Sequence, residues 1–189
     1  MTAVAARCRE PVLHILKNKL RQRIKQQKRQ FTPAQLEELS LPILARLRPL
    51  LAEAHTIMAY YSLSDEVCTH QLLDELVADG KTVLLPKVVD AENMELHCYT
   101  DRNDLEEGAF HIMEPVGALF TDLASIDLAV IPGMAFTQQG DRLGRGKGFY
   151  DRLLPHLHCP LIGLAFPFQL LSSIPTEPHD IRMNEVITC

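Results

Sequence analysis

No apolar run in this sequence approaches the roughly 20 residues that a membrane-spanning helix needs. The opening "MTAVAARCRE" has neither the charged start nor the long apolar segment of a secretory signal, so a cytoplasmic protein is expected. The cysteines Cys8, Cys68, Cys98, Cys159 and Cys189 are odd in number, scattered and without a CxxC pair. That pattern argues against a zinc site or a disulfide framework and for reduced thiols. Internal repeats, low-complexity tracts and any break in composition that would mark a second independent domain are also missing. What is present is ordinary for a globular domain: 47% hydrophobic and 23% charged residues in a 189-residue chain long enough to bury a substantial core.

The formal net charge of -5 hides an asymmetry. Arg7 through Gln30 carries nine of the nineteen Lys and Arg residues and one acid, Glu10. Such an arm invites a nucleic-acid-binding reading, but the rest of the chain is acidic and offers no interleaved aromatics to stack on bases. Within the arm, Leu13, Leu16, Leu20 and Ile24 recur at helical spacing after Pro11, which predicts an amphipathic first helix with its cations on the other faces. Lys17 and Arg21, four apart, are neighbours on it and suit one ligand; solvated cations on a wet face fit the spacing equally.

Thr32-Pro33-Ala34-Gln35 is a capping box that opens a second helix toward Leu51, with Pro42 expected to kink or break it. A buried strand at Thr56–Ser62, a helix capped by Thr69 and ended by Gly80, and a strand in "TVLLPKVV" make a βαβ unit. Strands follow at Met94–Thr100 and Asp127–Phe136, then a short helix through "FYDRLLPHL" and a last strand at Pro160–Phe166. His156 and His158 fall at the end of that helix, where residues two apart diverge, and read as surface or capping groups. The segment between Thr100 and Asp127 reads as irregular, the kind of loop that often binds ligands. The expected fold is α/β: a single-domain, open, mostly parallel sheet flanked by helices in Rossmann-like layers, preceded by two helices. Ligands in such sheets sit beyond the carboxyl ends of the strands, here at "SLSDEVCT", at "PGMAFTQQGDRLGRGKGFYD" and at "PFQLLSSIPTEPHD".

The middle loop is the most informative. Gly144, Gly146 and Gly148 alternate with Arg145 and Lys147, so backbone N–H groups and full charges can converge on an anion. It is not a P-loop, because five residues separate Gly140 from Gly146 and Gly148 follows Lys147; nor does it have the GxGxxG spacing. Cations beside a glycine cradle suit polyphosphate, and carboxylates from separate loops suit Mg²⁺, so the residues point to a Mg-nucleotide site. Asp151 also fits as an acid in a helix's first turn and Asp180 as a turn-forming residue.

The stretch "IPGMAFTQQGDRLGRGKGFYDRLL" resembles the signature of the 5-formyltetrahydrofolate cyclo-ligase family, also called 5,10-methenyltetrahydrofolate synthetase. The similarity continues through "KNKLR", "SLSDEVCT", "GAFHIMEP" and "IPTEPHDIRMNEVIT", leaving residues 1–10 as a tail and 11–189 as a cyclo-ligase-like α/β domain. The resemblance implies an ATP- and Mg²⁺-dependent ring closure of 5-formyltetrahydrofolate to 5,10-methenyltetrahydrofolate with release of ADP and phosphate. It further implies 5-formyltetrahydrofolate and ATP as small-molecule partners; no membrane and no nucleic-acid partner are expected beside them, and a monomer is expected. Carried over by position, Lys17, Arg21 and Arg142, Leu143, Gly144, Arg145, Gly146, Lys147, Gly148, Phe149 and Tyr150 hold ATP, with Arg145 and Lys147 as the catalytic cations. Tyr61, Glu66, Phe110 and the Arg145–Phe149 stretch bind the folate, and Asp151 and Asp180 bind magnesium, with ATP as co-substrate. Phe110 stands where the family often has Trp, and Phe149 where Tyr is common; Asn184 is left out of the metal site. A relative acting on another acceptor, or a nucleic-acid-binding protein using the basic helix, are the alternatives.

Overall fold

The computed structural model describes residues 9–108 and 113–189. Helix α1 spans Arg9–Lys28 and α2 spans Pro33–Ala52. Strand β1 (Thr56–Met58), helix α3 (His70–Ala78) and strand β2 (Thr82–Val88) follow, then β3 (Met94–Tyr99). Short strands β4 (Leu105–Glu107), β5 (Met113–Pro115) and β6 (Leu119–Phe120) precede β7 (Leu128–Ile131). The chain closes with β8 (Ala135–Phe136), β9 (Arg142–Leu143), α4 (Phe149–Leu153), β10 (Leu161–Leu164) and β11 (Glu185–Ile187).

Seven strands form one sheet in the order β11-β10-β7-β1-β2-β3-β6. The five from β11 to β2 run parallel, whereas β3 and β6 add an antiparallel edge. Alternate side chains go to opposite faces. Ile57, Val83, Leu85, Val130 and Ile162 pack under α2 and α3, which bring Ile43, Leu47, Leu72 and Leu73. Met58, Leu84, Ala129 and Ile131 join Phe136, Leu153 and Leu154 on the other face. The result is a three-layer α/β domain, as expected.

Several local expectations change. Helix α2 continues through Pro42 and Pro49 although each proline costs about 3 kcal/mol in an isolated helix. Both prolines lie on its exposed side, while Leu36, Ile43, Leu44, Leu47 and Leu51 form the buried stripe that holds it on the sheet. Thr69 does not cap α3 with its hydroxyl; that group donates instead to the Tyr60 carbonyl at 2.6 Å, tying the helix start to the end of β1. The stretch from Asp127 to Phe136 is two strands, split at Pro132-Gly133, and β8 turns back to pair with β9. The helix after the glycine loop stops at Leu153 and tightens into a 3₁₀ turn at Leu154–His156, where Pro155 has no N–H to continue it. The segment expected to be irregular contains the β4–β5 pair and the edge strand β6, and the tail supplies β11.

Helix α1 departs most from its expected orientation. Its cations are not all on outer faces: Lys17 is 8% exposed and Lys28 4%, whereas Leu16 is 42% exposed. The buried line is Lys17, Ile24 and Lys28, with Leu20 and Arg21 half-buried beside it. Ile24 and Leu20 dock on Met134, Ala135, Leu143 and Ile174, so α1 is fastened to the β8–β9 hairpin.

Candidate active site

The sheet order creates the site. From β1 the chain crosses through α3 to β2 on one side, whereas β7 lies on the other side of β1 and leads away to β10 and β11. The loops leaving the carboxyl ends of β1 and β7 therefore diverge, and a crevice opens between them. A cavity of about 410 Å³ lies there, within the usual range for small-molecule sites. It is walled by Lys17, Arg21, Tyr61, Glu66, the whole run from Arg142 to Asp151, and Asp180. Every expected site residue among those described thus faces one cavity; Phe110 lies outside the described residues.

One end of the cavity is ionic. Lys17 Nζ donates to Glu177 Oε2 and to Asp180 Oδ2, both at 2.7 Å. Burial opposes the charge on Lys17, but these two carboxylates outweigh it and hold its pKa above the ordinary lysine value. Arg21 Nε donates to the Gly144 carbonyl at 2.8 Å, and its Nη1 to Asn18 Oδ1 at 2.7 Å. Burial lowers the Arg21 pKa, and the charges of Asp151 and Asp180 offset this only in part. Gly146 must be glycine here: its φ is +96°, and a Cβ would lie 3.1 Å from the Arg21 guanidinium carbon. Arg142 Nη2 holds Asp151 Oδ1 at 2.5 Å, its Nη1 donates to the Pro132 carbonyl at 3.3 Å, and its guanidinium lies 5.4 Å from the centre of the Tyr150 ring. Burial, then the nearby Glu66, raises the Tyr150 hydroxyl pKa above its ordinary value.

The other end is apolar, with Leu85, Pro86, Val88, Met94 and Met113 in its wall beside Tyr60 and Tyr61. Tyr61 stacks on His70 with ring centres 3.9 Å apart. Arg145 joins the two ends: its Nη2 meets Glu66 Oε1 at 2.7 Å and Asp65 Oδ1 at 3.1 Å. Burial opposes its charge, but Glu66 and Asp65 outweigh that and raise its pKa.

Asp151 and Asp180 fit a hard divalent cation in donor type. Both are oxygen donors in the wall of one cavity, and both bear on the Arg21 guanidinium. Each is already paired with a cation, Arg142 or Lys17, and each also serves locally: Asp151 stands in the first turn of α4, and Asp180 Oδ2 accepts the Glu177 N–H at 2.8 Å. The convergent acidic group among the described residues is Glu177, His179 and Asp180.

Sequence reasoning singled out Asp65 beside Glu66 as a polar group of the loop after β1 but missed Glu177 and Lys28. Glu177 stands three residues before Asp180 in the same turn, and Lys28 continues the Lys17–Arg21–Ile24 face by one more turn. The helical period puts Lys28 on that face, but it does not show the carboxylate that Lys28 meets.

A model of the 5-formyltetrahydrofolate cyclo-ligase family matches residues 15–189. The 5-formyltetrahydrofolate cyclo-ligase of Escherichia coli K12 is 32% identical over 174 residues, covering 87% of this chain and 96% of that protein. The Mus musculus enzyme of the same name is 29% identical over 145 residues, 69% of this chain and 71% of its own length. The NMR structure of Aquifex aeolicus 5,10-methenyltetrahydrofolate synthetase superposes with a TM-score of 0.81 at 31% identity, covering 92% of this chain and 89% of that one. A 5,10-methenyltetrahydrofolate synthetase from Mycoplasma pneumoniae gives 0.75 at 25% identity, covering 90% and 97%.

Proposed function

The chain belongs to the 5-formyltetrahydrofolate cyclo-ligase family and is an enzyme of that class; we propose that it converts 5-formyltetrahydrofolate and ATP to 5,10-methenyltetrahydrofolate, ADP and phosphate. The carrying observation is the single cavity whose cationic end, Lys17, Arg21, Arg145 and Lys147, runs into an apolar end beside Tyr61 and Glu66. A polyphosphate and a pterin that must react with each other need adjoining sites of those two kinds.

The chemistry asks mainly for positioning and charge neutralisation. The formamide oxygen at N5 attacks the γ-phosphorus of ATP as the bond to the ADP oxygen breaks. N10 then attacks the formyl carbon, the carbon–oxygen bond to phosphate breaks, and N10 gives up its proton, leaving the methenyl cation. Charge on the transferring phosphoryl group calls for fixed cations, which Arg145 and Lys147 supply from the glycine loop. Lys17 and Arg21 hold the rest of the polyphosphate, exchanging the carboxylate and carbonyl partners they have here for phosphate oxygens. Glu66 accepts N–H groups of the pterin, and Tyr61 and Phe149 line its ring. Asp151 and Asp180 would hold Mg²⁺, which neutralises phosphate charge when bound.

The basic helix has a role in this scheme that needs no nucleic acid. Three of its cations, Lys17, Arg21 and Lys28, turn inward and bond to other parts of the chain. No described helix is long and apolar enough to cross a membrane.

Mixing the protein with 5-formyltetrahydrofolate, ATP and Mg²⁺ and following the absorbance of the methenyl product tests the proposal. Product is expected with ATP and none without it. Absence of product in both arms overturns the assignment.

A further inference from the structure

Lys28, the last residue of α1, is 4% exposed and donates from Nζ to Asp65 Oδ2 at 3.1 Å. Burial lowers its pKa, with the neighbouring charges of Asp65 and Glu66 opposing and that of Arg145 assisting. A buried ion pair is weak grounds for stability, since an apolar residue of similar volume commonly does as well or better. The retained charge therefore calls for a use, and Asp65 indicates one. Its second oxygen, Oδ1, accepts from Arg145 Nη2 at 3.1 Å, so one carboxylate is stretched between a buried ammonium and the cavity's guanidinium. Arg145 in turn grips Glu66 Oε1 with Nη2 at 2.7 Å and Nε at 3.2 Å. Glu66 Oε2 accepts the Leu63 N–H at 3.1 Å, which leaves the carboxylate fixed at both oxygens.

We propose that Lys28 and Asp65 are a positioning pair for the folate end of the cavity: Lys28 fixes the Asp65 carboxylate, and Asp65 sets the Arg145 fork that orients Glu66. It rests on the folate substrate proposed above. With Lys28 absent, Asp65 has only Arg145 to pair with and pulls the fork away from Glu66. The nucleotide end has its own holds, Lys17 on Asp180 and Arg21 on the Gly144 carbonyl, and does not depend on Asp65. The loss therefore falls on folate affinity and on the phosphoryl-transfer step that Arg145 serves, not on the hold on ATP.

The test compares the parental chain with K28M, K28R and the double variant K28M/D65N. Removal of the buried charge itself in K28M leaves Asp65 half-exposed and still paired with Arg145, so folding is expected to survive. In K28M the KM for 5-formyltetrahydrofolate should rise about tenfold and kcat should fall, since Arg145 also serves the transferring phosphoryl group, while the KM for ATP stays within about twofold. K28R should recover most of the loss, and K28M/D65N should be no worse than K28M alone, because both residues act through one link. A parental folate KM in K28M overturns the pair. So does an equal rise in both KM values with a lowered melting temperature that K28R does not correct, which marks a purely structural lysine. Calorimetric titration with 5-formyltetrahydrofolate separates the two proposals. Parental binding without turnover sinks the reaction assigned above and leaves the K28M effect to be measured as a ratio of Kd values; no parental binding overturns both.

Discussion

Lys147 stands in the cavity wall on an exposed stretch of the glycine loop, and its backbone carbonyl accepts from Arg152 Nη2 at 3.1 Å. Its backbone is thus held by a neighbour on α4. Loss of a charge aimed at a transferring phosphoryl group removes about 10²- to 10³-fold in kcat, in the manner of an oxyanion-hole donor. K147A is expected to show that loss with an unchanged thermal midpoint, read by steady-state kinetics beside a melting curve. Near-parental turnover would remove Lys147 from the chemistry. Arg142 makes the contrast: it is buried, carries Asp151 and the Pro132 carbonyl, and has a buried Nε without a partner, so its replacement would disturb fold and activity together. The family resemblance assigned both cations to the site, but it had no means of separating an exposed lysine from a buried arginine.

Among the elements, the β8–β9 hairpin connects the cavity to the rest of the molecule. Gly140 closes its turn with φ at +90°, donates to the Thr137 carbonyl at 3.1 Å and accepts the Met183 N–H at 2.8 Å. A Cβ there would lie 2.2 Å from the Met183 carbonyl oxygen, which is backbone and cannot step aside as a side chain can. G140A therefore combines a left-handed conformation, costing about 1–2 kcal/mol, with a backbone clash. The expected result is a thermal midpoint lower by at least about 4 °C, taking roughly 2–4 °C per kcal/mol for a domain of this size. A midpoint within about 1 °C of the parent would show that the hairpin relaxes freely. Such elements were partly legible beforehand. Long elements announced themselves, as α2 did through its capping box and the seven-residue β2 through its apolar run of Val83, Leu84 and Leu85. The two- and three-residue strands β4, β5, β6, β8, β9 and β11 did not, because a period of two needs several residues to register and their pairing is set by distant partners. The inward turn of α1 was hidden for another reason: a lysine on an apolar stripe reads as polar until the carboxylate awaiting it is known, and Asp65 and Asp180 come from loops 37 and 163 residues away.

In the whole molecule, α1 acts as a strap across the loops at the carboxyl end of the sheet. Lys17 reaches the loop after β10, Arg21 the glycine loop after β9, and Lys28 the loop after β1. Carboxylates at such junctions link folding to pH. At Asp65 burial favours the neutral acid, but the Lys28 and Arg145 charges outweigh it and hold the pKa below the usual aspartate value. Asp127 is lowered by backbone N–H groups of Thr56 and His55 that it accepts at the start of β1, and Asp104 by the Thr100 hydroxyl and N–H. Each folded value lies below the unfolded one of about 3.9, so in that window the unfolded chain binds more protons. The stability these groups contribute is fully present above the unfolded value and is lost as the pH falls through the folded ones. The urea midpoint should accordingly be flat from about pH 7 to 5 and drop below about pH 4, with a shallower drop in D65N and D127N. Equilibrium unfolding followed by circular dichroism across that range measures it. A midpoint that holds down to about pH 3 would mean that these aspartates are no better placed in the folded chain than in the unfolded one, and would remove the Lys28–Asp65–Arg145 link with them.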